Sequence, residues 1–209
     1  AGLIRITPRT NTYDIYSLPD ARIYTLHNNF ITDEYIAAGT WGGGIYIINK
    51  KTKEVTSYTA NPGVAGYLTN NIIYSFFINK YDMLFVGTAD ALNIADLNHL
   101  SGDIAEPLYT ETVGSKKKLS YLNRSISCLA ANGTHIWAAS DNVLIRYNLD
   151  QSEPEEFPFR ANKDQINGGL IYSISAISDT EAWIGTNKGL FFFNATSASF
   201  SPIPLYNNR

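Results

Sequence analysis

Residues 183–193 read WIGTNKGLFFF. An aromatic and a β-branched residue lead into Gly185-Thr186, Asn187-Lys188 follow, and Gly189-Leu190 open a run of three phenylalanines. Two apolar segments on either side of a short polar pair read as a β-hairpin. Thr186 to Gly189 forms the turn, with Gly189 free to take a positive φ. Both strands are apolar at consecutive positions, which is the mark of strands covered on both faces. Trp183, Phe191 and Phe193 are therefore expected to pack between neighbouring sheets.

The pattern recurs along the chain, and a repeat outranks other signals when a fold is read. YIAAGTWGGGIYIIN (35–49), LFVGTADALNIAD (84–96) and IWAASDNVLIRYN (136–148) match AWIGTNKGLFFFN (182–194). Each has an aromatic or β-branched pair, a small-residue step, a short polar turn and a second apolar strand. The steps Gly39, Gly87, Ala139 and Gly185 stand 48, 52 and 46 residues apart. GLIRI (2–6) fits the second-strand slot one period earlier. Upstream of the steps lie RIYTLHNNFITDE (22–34), IIYSFFINKYD (72–82), SISCLAANGTH (125–135) and LIYSISAISDTE (170–181). Downstream lie weaker strands at 54–59, 106–111, 155–160 and 198–203, with an N-terminal copy at 13–18.

One unit thus reads as four short strands in roughly 50 residues, the length of a β-propeller blade. The fold class is all-β, a β-propeller of four-stranded blades. About four and a half blades are present: a half blade at 1–20, then units 21–69, 70–124, 125–168 and 169–209. A half blade leaves unpaired strand edges, a hazard for a folded chain. The favoured resolution is a piece of a larger propeller, and the start within a repeat at Ala1-Gly2-Leu3 agrees. A homodimer pairing its edges, or a four-bladed ring with an extra hairpin, are the alternatives.

Composition supports strands. Of 209 residues 44% are hydrophobic and only 17% charged, and there are 14 Tyr, 10 Phe and 3 Trp. Aromatic and β-branched enrichment favours pleated, half-buried surfaces. A net charge of −3 gives no electrostatic case for nucleic acid or an anionic membrane. Cys128 is the sole cysteine, so no intrachain disulfide can form. That fits the cytoplasm and also disulfide-free periplasmic proteins. The longest apolar run, IIYSFFI (72–78), is far short of the roughly 20 residues of a membrane helix.

The unit resembles the two-component-regulator propeller repeat. That pattern runs leucine or isoleucine, an Asp turn, Trp-[Ile/Val]-Gly-Thr, two variable residues, Gly-Leu, and an aromatic strand. Residues 171–194 carry it best, with Ser178-Asp179 at the Asp turn and Trp183-Ile184-Gly185-Thr186 and Gly189-Leu190 on the central motif. Phe85-Val86-Gly87-Thr88 is a second copy, Ile136 to Ser140 a third, and Tyr35 to Thr40 a fourth with the widened turn Trp41-Gly42-Gly43-Gly44. Ala37 and Phe85 replace the central Trp, and Ala139-Ser140 replaces Gly-Thr. The resemblance implies the periplasmic sensor region of Bacteroidetes hybrid two-component histidine kinases. It also implies an oligosaccharide or other small ligand, a membrane-anchored parent, and no catalysis by this segment. A propeller lyase or glycosidase, or a protein-interaction scaffold, are the competing functions, and fold alone does not separate them.

No HExxH, GxSxG, P-loop or CxxC pattern occurs, so neither a cofactor nor a metal is expected. His27, His99 and His135 lack the spacing of a local metal motif. Cys128 reads as a small buried hydrophobe. SDTEAW (178–183) only approaches a sialidase Asp-box, and Glu153, Glu155 and Glu156 beside Pro154 read as a solvated turn rather than a carboxylate pair. The Asn-x-Ser/Thr triplets at Asn123, Asn132 and Asn194 carry little weight.

Ligand candidates come from turns and loops, where function concentrates on rigid scaffolds. The turns between second and third strands offer Trp41, Asp90, Asp141, Asn187 and Lys188. The segments 61–70, 110–124 and 161–168 are expected loops. In the second of these regions Tyr109, Lys117, Tyr121 and Arg124 interleave aromatic and basic groups, as suits acidic sugars. Trp41, in a glycine-rich turn with few side chains to bury it, suits stacking on a sugar ring.

Overall fold

The computed structural model describes residues 2–19, 22–28, 30, 32–61, 67–97, 110–112, 124–148, 154–160 and 169–204. All regular elements among them are β-strands, apart from a 3₁₀ position at Leu97. The chain divides into two compact units, Ala1–Asn123 and Arg124–Arg209.

In the first unit β1 (Gly2–Thr7) pairs with β2 (Thr12–Ser17) as a two-stranded sheet. β3 (Ile23–Asn28), β4 (Tyr35–Thr40), β5 (Ile45–Asn49) and β6 (Val55–Tyr58) form a four-stranded sheet, and β7 (Ile73–Ile78), β8 (Met83–Thr88), β9 (Leu92–Asp96) and β10 (Thr110–Thr112) a second. In the second unit β11 (Cys128–Asn132), β12 (His135–Ser140), β13 (Val143–Asn148) and β14 (Glu155–Pro158) form one sheet. β15 (Ile171–Ala176), β16 (Glu181–Thr186), β17 (Gly189–Asn194) and β18 (Ser199–Pro202) form the other. Each sheet is an antiparallel meander in sequence order. This is the expected half blade followed by four four-stranded blades. One detail differs: the fourth strand expected at 106–111 is β10 at Thr110–Thr112, so the segment from 110 does not open as a loop. The rest of that segment and 161–168 lie outside the described residues.

The Gly-Thr of the motif has a local physical reason. The Thr hydroxyl closes the hairpin that follows it. Thr40 Oγ1 donates to the Gly44 carbonyl at 2.8 Å and accepts from Gly43 N at 3.1 Å. Thr88 does the same with Ala91, at 2.9 and 3.0 Å. Thr186 Oγ1 donates to the Gly189 carbonyl at 2.9 Å and accepts from Lys188 N at 2.9 Å. Gly189 takes φ +109°, as the turn requires. In the divergent copy, Ser140 Oγ is buried and finds no partner among the described residues.

Within each unit, the sheets pack face to face. In the first unit, Ile45, Ile47, Ile73, Leu84 and Val86 meet in one cluster. Tyr16 and Leu18 cover Ala38, Tyr46 and Ile48 on the other face of the β3–β6 sheet. In the second unit Trp137, Phe159, Phe191 and Phe193 form the core, with Phe193 4.8 Å from Phe157 and 5.8 Å from Trp137 between ring centroids. The small step allows this closeness. A Cβ on Gly39 would sit 2.6 Å from Thr25 Cγ2, 2.7 Å from Ile73 Cγ2 and 2.9 Å from Phe76 Cε1.

The second unit adds a polar latch. Asp179, in the turn between β15 and β16, accepts from Thr134 N (2.7 Å), His135 N (2.9 Å) and Thr134 Oγ1 (3.2 Å), and its Oδ1 lies 2.9 Å from His135 Nδ1. Trp137 Nε1 donates to the Ser178 carbonyl at 3.2 Å, and Arg146 Nη1 to the Asp179 carbonyl at 2.8 Å. Gly133, at φ +89°, leaves room for the Asp179 carboxylate. The Asp turn of the repeat is thus a bolt into the preceding sheet.

Two expectations are corrected. Phe191 and Phe193 are buried as expected, but Trp183 is 39% exposed, resting edge to face on Phe192 of the adjacent strand at 5.4 Å between centroids. Glu155 and Glu156 are not a solvated turn. They sit on β14, where Glu155 takes a two-toothed bond from Arg146 Nη2 at 2.6 and 2.8 Å and Glu156 pairs with Arg124 at 3.1 Å.

Gly39→Ala should therefore destabilise the chain by about 1–3 kcal/mol through overpacking, read as a lower denaturant midpoint at unchanged m-value. The latch carries a pH signature. Partial burial pushes the Asp179 carboxyl up, but the bonds from His135 and Thr134 outweigh it and hold its pKa below the usual value. A depressed folded pKa gives stability that is present above the unfolded value, about 3.9, and lost as pH falls through the folded one. The stability gap between wild type and Asp179→Asn should shrink as pH falls below about 4. A gap unchanged at low pH would remove the carboxylate from the latch.

Candidate ligand-binding site

Trp41 follows the closing Thr of β4. Its backbone is tied on both sides: Trp41 N donates to the Arg22 carbonyl at 2.9 Å, and Gly42 N and Gly44 N both donate to the Asn71 carbonyl at 3.0 Å. Trp41 also bridges Ile72. Trp41 is 42% exposed, and its ring stands beside the exposed Tyr24 of β3, at 5.5 Å between centroids, and the partly buried Tyr74 of β7, at 5.9 Å. Tyr24 and Tyr74 meet edge to face at 6.0 Å. Three rings on three separate chain segments thus make one open aromatic surface in the first unit. The sequence reading missed Tyr24 and Tyr74, although Ile-Tyr-Thr and Ile-Tyr-Ser at 23–25 and 73–75 repeat in register.

Asp90 is part of a different cluster. Its carboxylate accepts from Thr69 Oγ1 at 2.7 Å and Asn70 Nδ2 at 3.3 Å, and lies 2.9 Å from Thr88 Oγ1, whose one proton it shares with the Ala91 carbonyl. The buried Asn93 completes the net, accepting from Thr69 N at 3.0 Å and donating to Thr69 Oγ1 at 2.9 Å. This network ties the segment before β7 to the turn after β8, so the oxygens of Asp90 already have donors within the chain.

The remaining candidates of the described chain lie in the second unit. Asp141 is exposed at φ +52°, and its carbonyl accepts from Ile171 N at 2.8 Å. Asn187 is clasped to Leu170 twice, N to the Leu170 carbonyl at 3.1 Å and Oδ1 from Leu170 N at 2.9 Å. Lys188 is exposed. Arg124 is engaged with Glu156. Tyr109, Lys117 and Tyr121 lie outside the described residues, as does His99.

No group of three or more His, Cys, Asp or Glu that could hold a metal occurs among the described residues. Burial pushes the Cys128 thiol up to about 11, against a smaller lowering by Ser127, so it is a poor nucleophile at neutral pH. No described helix is long and apolar enough to cross a membrane.

Comparison with solved structures fixes the fold. The whole chain superposes on the extracellular domain of the hybrid two-component system BT4673 from B. thetaiotaomicron with a TM-score of 0.70 at 17% identity, covering 26% of that chain. The extracellular domain of the hybrid two-component system BT3049 from the same organism matches over 91% of this chain with a TM-score of 0.69 at 15% identity, again over 26% of its own length. A chain of the mitotic checkpoint complex matches over 95% of this chain and 56% of its own, with a TM-score of 0.64 at 11% identity. The chain therefore spans about a quarter of the two bacterial domains. No family model and no curated protein matches the sequence. The resemblance carried by the four repeats is met in three dimensions: the chain has the fold of the extracellular propeller regions of hybrid two-component systems.

The hydroxyl that closes each hairpin gives a direct test of why the repeat carries Gly-Thr. Thr88→Val should cost about 1–3 kcal/mol, since it leaves the buried Ala91 N without its acceptor. Ser140→Ala should be close to neutral, as that hydroxyl has no described partner. Equal losses in chemical denaturation would sink this explanation.

Proposed function

We propose that this chain is a non-catalytic, ligand-recognising segment of an extracytoplasmic sensor, part of a hybrid two-component system whose ligand is an oligosaccharide. The observation that carries the reading is the match of all or nearly all of the chain to two extracellular domains of such systems. The repeat resemblance supports it independently, and so does an open aromatic surface on an otherwise rigid scaffold. The parent would be membrane-anchored and place this segment in the periplasm. Binding would reach a kinase and transcription through rearrangement of the sensor's domains. The likeness to a chain of a mitotic assembly supports a second reading, a protein-interaction scaffold.

A thermal-shift screen against neutral and acidic oligosaccharides tests the first. A ligand at 100 times its Kd adds about 2.7 kcal/mol, which for a chain of this size raises Tm by roughly 5–10 °C. A selective shift is the expected result. Uniformly flat curves across the panel would set aside the oligosaccharide reading and favour the scaffold.

A further inference from the structure

The first strand of three of the four large sheets opens with the same tripeptide: Ile23-Tyr24-Thr25, Ile73-Tyr74-Ser75 and Ile171-Tyr172-Ser173. The fourth has Ile126-Ser127-Cys128. In each of the three, the ladder with the second strand shifts register at the tyrosine. Ile23 pairs with Thr40 and Thr25 with Gly39, which leaves Tyr24 as the extra residue. Tyr74 lies between Ile73↔Thr88 and Ser75↔Gly87, and Tyr172 between Ile171↔Thr186 and Ser173↔Gly185. A bulge of this kind takes one side chain out of the alternation and re-aims it. Ile73 and Ile171 are buried, whereas Tyr24 is 49% and Tyr172 61% exposed. The bulge thus turns a ring outward that strict alternation would have pressed against a neighbouring sheet.

Only one of the four equivalent turn positions adds a further ring. Trp41, Ala89 and Asn187 make the same backbone bond to the residue two before the bulged tyrosine: to Arg22, Ile72 and Leu170. Asp141 occupies the fourth. Trp41 therefore completes a platform that the other turns lack. Its position is stiff, because the backbone is stitched to Arg22, Asn71 and Ile72. Its flank is open, because Gly42, at φ +106°, has no heavy atom within 4 Å of where a Cβ would stand.

We propose that Tyr24, Trp41 and Tyr74 form a stacking subsite for a neutral pyranose of an oligosaccharide, an assignment that rests on the sensor reading above. The size of the surface decides between occupants. Fully buried Tyr and Trp contribute 150–250 Å² each, so the half-open Tyr24 and Trp41 with the more covered Tyr74 offer on the order of 200–300 Å². A standard protein interface needs about 800 Å² from each partner. A sugar ring needs one apolar C–H face against an aromatic ring and hydroxyl partners at its rim. Trp41 supplies the face and the two phenols the rim. The rings bring no formal charge, which matches a neutral sugar rather than an acidic one.

The test is isothermal titration of the full chain with cellohexaose, xylohexaose, mannohexaose and maltohexaose, and with a heparin-derived and a polygalacturonate-derived hexasaccharide. Trp41→Ala, Tyr24→Ala, Tyr24→Phe and, in the second unit, Trp183→Ala are compared with wild type. Their thermal unfolding is recorded first, and little change is expected from rings already half in water. A neutral hexasaccharide should bind, and Trp41→Ala and Tyr24→Ala should each weaken it about tenfold or more; Tyr24→Phe, which removes one rim hydroxyl, should weaken it by less, and Trp183→Ala should stay close to wild type. A neutral sugar that binds the Trp41→Ala and Tyr24→Ala chains as tightly as wild type overturns the platform and leaves the sensor reading intact. Binding only of the acidic sugars, unmoved by the same variants, does likewise. No binding by any member overturns the sugar reading and the platform with it. Self-association of the wild-type chain in sedimentation, abolished by Trp41→Ala, would assign the rings to a second copy instead.

Discussion

A sheet with two apolar faces survives in water only when another sheet comes close enough to cover it, and here that closeness is granted by one small residue in the second strand. Gly39 shows the limit: even a methyl would stand under 3 Å from Thr25, Ile73 and Phe76. Ala139 fills the same place in the second unit, inside the core around Trp137 and Phe191. Cores are packed as densely as organic crystals, so the spacing at this step governs every contact beyond it. The rest of the repeat is arranged around this approach. The Thr after the step closes the next hairpin, and in the last sheet the Asp179 turn before the second strand bolts onto the preceding sheet.

Those polar devices explain how divergent copies stay in the same fold. The copy with Ser140 loses a hairpin closure, yet the same sheet provides Thr134, His135, Trp137 and Arg146 to grip the following Asp turn. Arg146 lies over Trp137, 5.8 Å from its ring centre, while also holding Glu155. A single cation there joins a strand pair, an aromatic core and an inter-sheet turn. Likewise Asp90, a turn residue on the face where ligands would be sought, is occupied in tying its own turn to Thr69 and Asn70. Polar residues in turns of a repeat fold are first of all its fastenings.

The residues that are not fastened stand out against that background. Tyr24, Trp41 and Tyr74 touch one another, and Tyr24 and Trp41 leave about half of their surface open while Tyr74 is partly buried. A scaffold that spends hydrogen bonds on holding Trp41 by its backbone, rather than on burying its ring, resembles the preorganised surfaces that recognition requires. In a sensor, such a surface need not undergo chemistry. It needs only to favour one arrangement of the parent's domains over another when occupied.

Much of this was legible in the sequence. The alternation of apolar residues, the period near 50 and the Gly-Thr turns determined the strands, their order within each sheet and the half blade at the start, because those depend on local backbone preference and nearest-neighbour pairing. Trp41 stood out as a tryptophan among glycines for the same local reason. What the tertiary structure alone decided was coverage. Trp183 occupies the central position of the best-matching repeat and still lies 39% exposed, since burial depends on which neighbour arrives and not on the strand itself. Glu155 and Glu156 look like a solvated turn until Arg146 and Arg124 are seen to reach them across the sheet and from before it. Tyr24 and Tyr74 look like ordinary strand residues, and only the bulge, a mismatch between two strands that neither encodes alone, turns their rings towards Trp41.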